Sequence, residues 1–401
     1  MSDIESRYAW WRLAASVALS TLGGVGMWAV VVALPPVQAD FGVTRADVSF
    51  SYTATMVGFG IGSILLGRLI DAKGALLTVT LSTVVLAAGF AVASYAPTAL
   101  LFALAHILIG FGSAATFVPL VADLSHWFDK RRGLAVAICS AGNYVAGALW
   151  PPIVEHLVSH EGWRSTYFTI GIICLVAMLP LGFALRRRLV QDPSASGGMP
   201  AAHSARSLGL SPAALQAWLA LAGIGCCVAM SMPQVHIVAY CADLGYGVAR
   251  GAEMLSLMLG FGIVSRVASG WIADRVGGIK TLLLGSTLQA VALFLYLISD
   301  TLTSLYVVSA LFGLFQGGIV PSYAIIVREY FPSREAGIRM GIAVSATIVG
   351  MALGGWMGGV FFDLSGSYRA AFINGIAWNA LNGAIAWWLL LRQTRRAVFV
   401  T

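Results

Sequence analysis

The chain has 401 residues, is 59% hydrophobic and only 10% charged, and carries a formal net charge of +7. Soluble domains carry about 25% charged residues, so this composition excludes an ordinary soluble domain and makes lipid the solvent around most of the chain. The basic residues lie in short loops rather than on one folded face, which argues against nucleic acid as a partner.

A helix needs about 20 mostly apolar residues to cross a bilayer. Reading between charges and turn residues predicts twelve spans, all helical because lipid offers the backbone no partner. Six occupy 13–36, 48–70, 75–95, 98–127, 133–158 and 164–185. The first is long enough to span and lacks a cleavage site, so it is expected to be retained rather than removed as a signal peptide. The segment 186–210 follows, polar and rich in Pro, Gly and Ser. It reads as a flexible cytoplasmic linker, with His203 as a solvated residue in it. Six more spans occupy 211–241, 251–273, 278–298, 302–327, 335–361 and 369–391. The expected organisation is a first bundle at 1–185, the linker at 186–210 and a second bundle at 211–401. The five cysteines (Cys139, Cys174, Cys226, Cys227 and Cys241) fall inside or at the edge of spans without metal-ligand spacing. They read as small buried apolar residues.

Charge sets the expected direction. One set of loops and span ends collects 19 of the 24 Lys and Arg residues, while Arg45, Arg164, Arg250 and Arg369 lie on the opposite side. The rich side is expected to be cytoplasmic, with both termini inside, in a plasma membrane of the bacterial inner-membrane kind. The remaining cation, Arg266, falls in the middle of span 8.

The chain also repeats itself. Gly67-Arg68-Leu69-Ile70-Asp71-Ala72-Lys73-Gly74 returns as Gly270-Trp271-Ile272-Ala273-Asp274-Arg275-Val276-Gly277, at an offset of 203 (274 − 71). Gly110 and Gly313 keep that offset, as do Trp127-Phe128 and Tyr330-Phe331. In these loops Gly67 and Gly270 are read as close helix approaches and Gly74 and Gly277 as tight turns. Asp71 and Asp274 can accept from helix N–H groups or pair with a cation, holding one conformation shut. Two similar halves in an apolar chain suit a transporter that rocks about a central site.

This pattern resembles the duplicated Gly-x-x-x-Asp-x-x-Gly loop of the major facilitator superfamily. The resemblance covers nearly the whole chain. It implies an all-α membrane protein of twelve transmembrane helices in two pseudo-symmetric six-helix bundles, with spans 1, 4, 7 and 10 lining a cavity. A finer resemblance, to the monocarboxylate and oxalate–formate porters, lies in three places. These are the loop from Trp127 to Ala135, which includes Arg131, the stretch from Pro233 to Gly245 in span 7, and the arginine at 266. The sequence departs from that group in two respects. Gly23-Gly24-Val25-Gly26-Met27-Trp28 in span 1 has no acid or lysine, and span 11 has no cation apart from Arg339 at its cytoplasmic end.

Arg266 is the leading candidate for substrate binding. It lies eight residues before Asp274, about 12 Å along a helix. A charge at mid-membrane costs at least about 2.5–3.5 kcal/mol and needs a partner. A guanidinium facing water can hold a carboxylate through two parallel bonds, and one cation matches a monoanion better than a dicarboxylate. The alternative is an arginine clamped by carbonyls or paired with Asp243. His236, Tyr240 and Asp243 share one face of span 7 at i, i+4 and i+7. Asp243 is a candidate for proton coupling, its occupancy following whether the cleft is wet and whether Arg266 is paired. It can equally end a helix in water, and His236 can be a satisfied lining residue.

Phe117, Asn143 and Gln316 complete the candidate substrate contacts. Tyr323, Asn374, Asn379, Asn382 and His106 are read mainly as packing or interhelical glue. The expected activity is secondary transport of a small monocarboxylate by alternating access with a proton, by a functional monomer without a cofactor. Organic-anion antiport, metabolite export and a receptor without net flux remain open. An enzyme is not expected, since no nucleophile–base set or metal cluster appears, and no Gly-x-x-x-x-Gly-Lys-Ser/Thr loop supports an ATP-driven pump.

Overall fold

The computed structural model describes residues 4–187, 208–332 and 335–398. Most of the expected linker, including His203, lies outside the described residues. Among the described residues the chain is helical, with no strand. In the first half the helices are α1 (Arg7–Gly23), α2 (Val25–Phe41), α3 (Arg45–Lys73), α4 (Ala75–Ser94), α5 (Ala99–Ala114), α6 (Val118–Leu124) and α7 (Arg132–Phe183). In the second half they are α8 (Pro212–Asp243), α9 (Val248–Val276), α10 (Gly278–Ile298), α11 (Leu302–Gln316), α12 (Ile319–Tyr330), α13 (Ala336–Ser365) and α14 (Tyr368–Val398).

These helices account for the twelve predicted spans. Pairs α1–α2, α5–α6 and α11–α12 each form one apolar crossing, over Arg7–Phe41, Ala99–Leu124 and Leu302–Tyr330. Helix α7 has 52 residues with non-helical backbone at Gly162 (φ 78°). At 1.5 Å per residue that is enough for two crossings, so spans 5 and 6 are joined through one residue. The twelfth span is α14, made more polar by Asn374, Asn379 and Asn382.

The chain forms two compact units, Met1–Val190 with Val235–Gly260 and Gln191–Gln234 with Phe261–Thr401. Helix α8 therefore begins in the second unit and ends in the first, and α9 does the reverse. In the first unit α3 packs on α5, α4 on α5 and α7, and α1 and α2 on α7. The α3–α5 contact depends on Gly110, where an added Cβ would overlap the carbonyl oxygen of Thr55. Gly110→Val should therefore lower the melting temperature in detergent, by the equivalent of about 1–3 kcal/mol of overpacking. An unchanged melting curve would refute the close approach. In the second unit α10 packs on α11, α12 and α14, and α13 on α12 and α14.

The repeat seen in the sequence is also a repeat of backbone. Gly74 and Gly277 have nearly the same geometry, φ 87° and ψ 170° against φ 84° and ψ 166°, a conformation that glycine adopts without strain. Asp71 and Asp274 are exposed at the ends of α3 and α9. The reading of Gly67 and Gly270 as close approaches is corrected, because an added Cβ at either meets nothing within 4 Å. The duplicated aromatic pairs are buried in matching roles. Trp127 and Phe128 pack with Ala9, Leu13, Leu124, Ala135 and Cys139, and Tyr330 and Phe331 pack in a second cluster with Leu215, Leu219 and Ile326. Arg131 begins the turn into α7, its backbone N–H donating to Glu5 Oε1 at 2.7 Å.

Candidate functional site

Three crossings are interrupted, and two interruptions correspond across the repeat. Span 4 breaks between α5 and α6 at 115–117, and span 10 between α11 and α12 at 317–318. Subtracting 203 from the second places it at 114–115, beside the first. Span 1 breaks at Gly24, and Pro233 interrupts the amide series inside α8. Interrupted helices in corresponding positions mark substrate sites in duplicated membrane proteins, because they free backbone and side-chain polar groups at mid-membrane depth.

The break in span 4 carries Phe117, half-buried with its ring 6.3 Å from that of Phe59. The hydroxyl of Thr116 donates to the Ser113 carbonyl at 2.7 Å. Asn143 of α7 is half-buried and directs its carboxamide oxygen toward Gly24, where span 1 breaks.

The break in span 10 carries Gln316, fully buried at the end of α11. Gly317 and Gly318 follow and lie against Gly262, Ser265 and Ser269 of α9. That is the stretch of α9 containing Arg266, which is half-buried. Arg266 thus follows directly on Ser265, a residue packed against the span 10 break. Beside it lies a crevice of about 240 Å³ lined by Ser265, Ala268, Ile272, Leu284, Leu288 and Phe315 among others. Its mostly apolar wall suits a hydrocarbon better than a charge.

At the other end of α9 the first unit holds a second set of candidates. His236 is fully buried, Tyr240 is 8% exposed and Asp243 lies at the exposed end of α8. Their shared helical face thus runs from core to surface. Asp243 pairs with Arg45 at 3.1 Å. Arg45 is not a loop cation but the first residue of α3, and is only 6% exposed. Each charge sits at the wrong pole of its own helix, Arg45 at the positive N-terminus and Asp243 at the negative C-terminus. The two charges thus suit each other rather than their helices. Around them the start of α9 packs closely, Gly251 lying against Val238 and the Ser256 hydroxyl donating to the Ala148 carbonyl.

A second ion pair joins α1 to α6. Arg12, 1% exposed, holds Asp123 Oδ2 through Nη2 at 2.6 Å and Nε at 3.1 Å, and donates to the Leu185 carbonyl at 3.0 Å. Its guanidinium lies 4.6 Å from the Trp127 ring centroid.

The weaker candidates resolve as packing. His106 Nδ1 contacts the Phe102 carbonyl at 2.8 Å and Nε2 the Tyr167 hydroxyl at 3.2 Å. Tyr323 donates to Asn382 Oδ1 at 2.9 Å, Asn382 to Ser286 Oγ at 3.0 Å and Asn379 to the Ser286 carbonyl at 2.7 Å, tying α10, α12 and α14 together. Arg266 and Gln316 lie in the second unit, and His236, Tyr240, Asp243, Phe117 and Asn143 in the first. Two partnerships are not evident in the sequence, that of Arg45 with Asp243 and that of Gln234 with Gln316. A signal existed for Arg45, since it lies within the capping box of Thr44 and Asp47, at a helix start where an arginine opposes the dipole.

Comparison with known proteins agrees with this architecture. The family model described as Major Facilitator Superfamily matches residues 17–299 and 254–400. Monocarboxylate transporter 13 of Bos taurus is 30% identical over 67% of this chain, and the match spans 62% of that protein's length. The same transporter of Rattus norvegicus is 29% identical over 81% of this chain and 74% of its own. MFS-type transporter YcxA of Bacillus subtilis is 27% identical over 83% of each. Among solved structures, the nucleoside transporter NupG superposes with a TM-score of 0.73 at 13% identity, over 95% of this chain and 99% of that one. A bacterial homolog of the human lysosomal transporter Spinster, in an inward-facing, unoccupied conformation, gives 0.71 at 13% identity over 97% and 98%.

Proposed function

Because the chain belongs to the major facilitator superfamily, we propose that it carries a small monocarboxylate across a plasma membrane by alternating access, together with a proton. The observation that carries this reading is Arg266, a guanidinium halfway along a crossing, on the stretch of α9 that packs against the break in span 10. A forked cation at that depth suits a carboxylate, and the two relatives named monocarboxylate transporter support the substrate class. The 186–210 linker separates two bundles, and the excess of Lys and Arg puts it and both termini in the cytoplasm. The protein works as a monomer.

In this reading Arg45 and Asp243 close the outer end of the first unit. When they part, each charge is left at the unfavourable pole of its helix, and Asp243 is then free to take the proton. His236 and Tyr240, on the same face of α8 as Asp243, are the further substrate contacts in the first unit. The repeated loops at Asp71 and Asp274, and Arg131 at the start of α7, act on the cytoplasmic side.

The direct test is uptake of a labelled carboxylate panel into proteoliposomes, with and without an imposed pH gradient. Monocarboxylate uptake driven by an inward proton gradient is expected, and no uptake or exchange of any carboxylate would overturn the substrate class. Asp243→Asn should abolish acid-stimulated net flux while leaving exchange across equal concentrations. Unchanged acid stimulation in that variant would remove Asp243 from coupling.

A further inference from the structure

Spans 7 and 10 meet at two carboxamides that do not satisfy each other. Gln234 Nε2 donates to Gln316 Oε1 at 3.0 Å, and both residues are at most 2% exposed. This bond uses one donor group and one acceptor. Gln234 Oε1 and Gln316 Nε2 remain buried without a hydrogen-bond partner. Exchanging oxygen and nitrogen in both amides reverses the bond but leaves the same offer, one open acceptor beside one open donor.

Such an arrangement is unfavourable by itself. A buried polar atom left unpaired keeps the full cost of its lost hydration, and most buried polar atoms in proteins have partners. Among the other buried amides of this unit, Asn379 and Asn382 are bonded to Ser286 and Tyr323. Gln289 Oε1 and both amide atoms of Gln216 also lack a partner, but they are not bonded to a second open amide. The position of the unsatisfied pair also matters. Gln316 is the last residue of α11 before the break at 317–318, and Gln234 follows Pro233 within α8. Gln316 therefore stands at the interruption of its span and Gln234 beside the proline of a continuous helix, in two of the four spans that the family resemblance assigns to the cavity wall.

We propose that Gln234 and Gln316 form a specificity-determining pair that reads a hydroxyl group on the transported solute. One hydroxyl can accept from Gln316 Nε2 and donate to Gln234 Oε1, completing both amides at once. The inference rests on the carboxylate reading for the remainder of the solute and narrows it to hydroxylated monocarboxylates. An unsubstituted acid of the same length leaves both amide atoms unpaired and is rejected on that account.

The test is competition for uptake in proteoliposomes by matched solutes, propanoate against 2-hydroxypropanoate and butanoate against 3-hydroxybutanoate. Propan-1-ol against propane-1,2-diol serves as an uncharged set. The wild type should prefer at least one hydroxylated acid by about tenfold or more, the worth of one or two hydrogen bonds. The double variant Gln234→Met with Gln316→Met keeps side-chain length and removes all four polar atoms together. It should retain its melting temperature and lose the preference, chiefly through better binding of the unsubstituted acid. A preference unchanged in a folded double variant, or no preference in the wild type, would overturn the pair. A hydroxyl preference confined to the uncharged set, with no competition by any acid, would sink the carboxylate reading and leave the pair standing.

Discussion

Arg266→Lys should lower carboxylate uptake by at least about tenfold at equal amounts of folded protein. A lysine keeps the charge but replaces a planar fork by a compact, strongly hydrated ammonium. Losing one of two parallel charged hydrogen bonds costs about 1.5–3 kcal/mol, or roughly 10–150-fold in affinity. Arg266 is half-buried on α9, next to Ser265, one of the residues that pack against the span 10 break. Uptake at the wild-type level in Arg266→Lys would remove the residue from the substrate site.

Asp123→Ala should destabilise the protein by about 3–5 kcal/mol, because it leaves a buried guanidinium without its counter-ion. Arg12 is 1% exposed and reaches Asp123, the Leu185 carbonyl and the Trp127 ring together, so it has no easy path to water. The loss is read as a lower melting temperature in detergent. Replacing both partners, Arg12→Met with Asp123→Leu, should recover most of it, since an apolar pair of similar volume does not carry the desolvation cost. A melting temperature unmoved by Asp123→Ala would show that the pair does not hold α1 to α6.

The sequence showed some of these features and concealed others for physical reasons. Crossings are visible because lipid demands long apolar runs, and the repeated turns at Gly74 and Gly277 because the backbone there needs glycine. Gly317-Gly318 was visible as a pair of helix-weakening residues, but the matching break at Ala115, Thr116 and Phe117 has no such marker. Gly67 and Gly270 misled, since an identical motif position need not be a packing position. Partnerships at long range were hidden. Arg45 and Asp243 are 198 residues apart and Gln234 and Gln316 are 82 apart, and nothing in local periodicity links them.

The single-residue junction in α7 has a practical consequence. Topology is often mapped by inserting an epitope or a fluorescent reporter into every turn. Between spans 5 and 6 the chain offers no turn to receive one, because helical residues run up to Gly162 and resume after it. The Thr166 hydroxyl already bonds back to the Gly162 carbonyl at 2.8 Å. A cargo placed there must unwind helix on both sides, so an inactive fusion at 162 would report broken geometry rather than a wrongly assigned side of the membrane. The exposed stretch at Gly245 and Gly247, with φ of 83° and 88°, gives the mapping a better-tolerated insertion point.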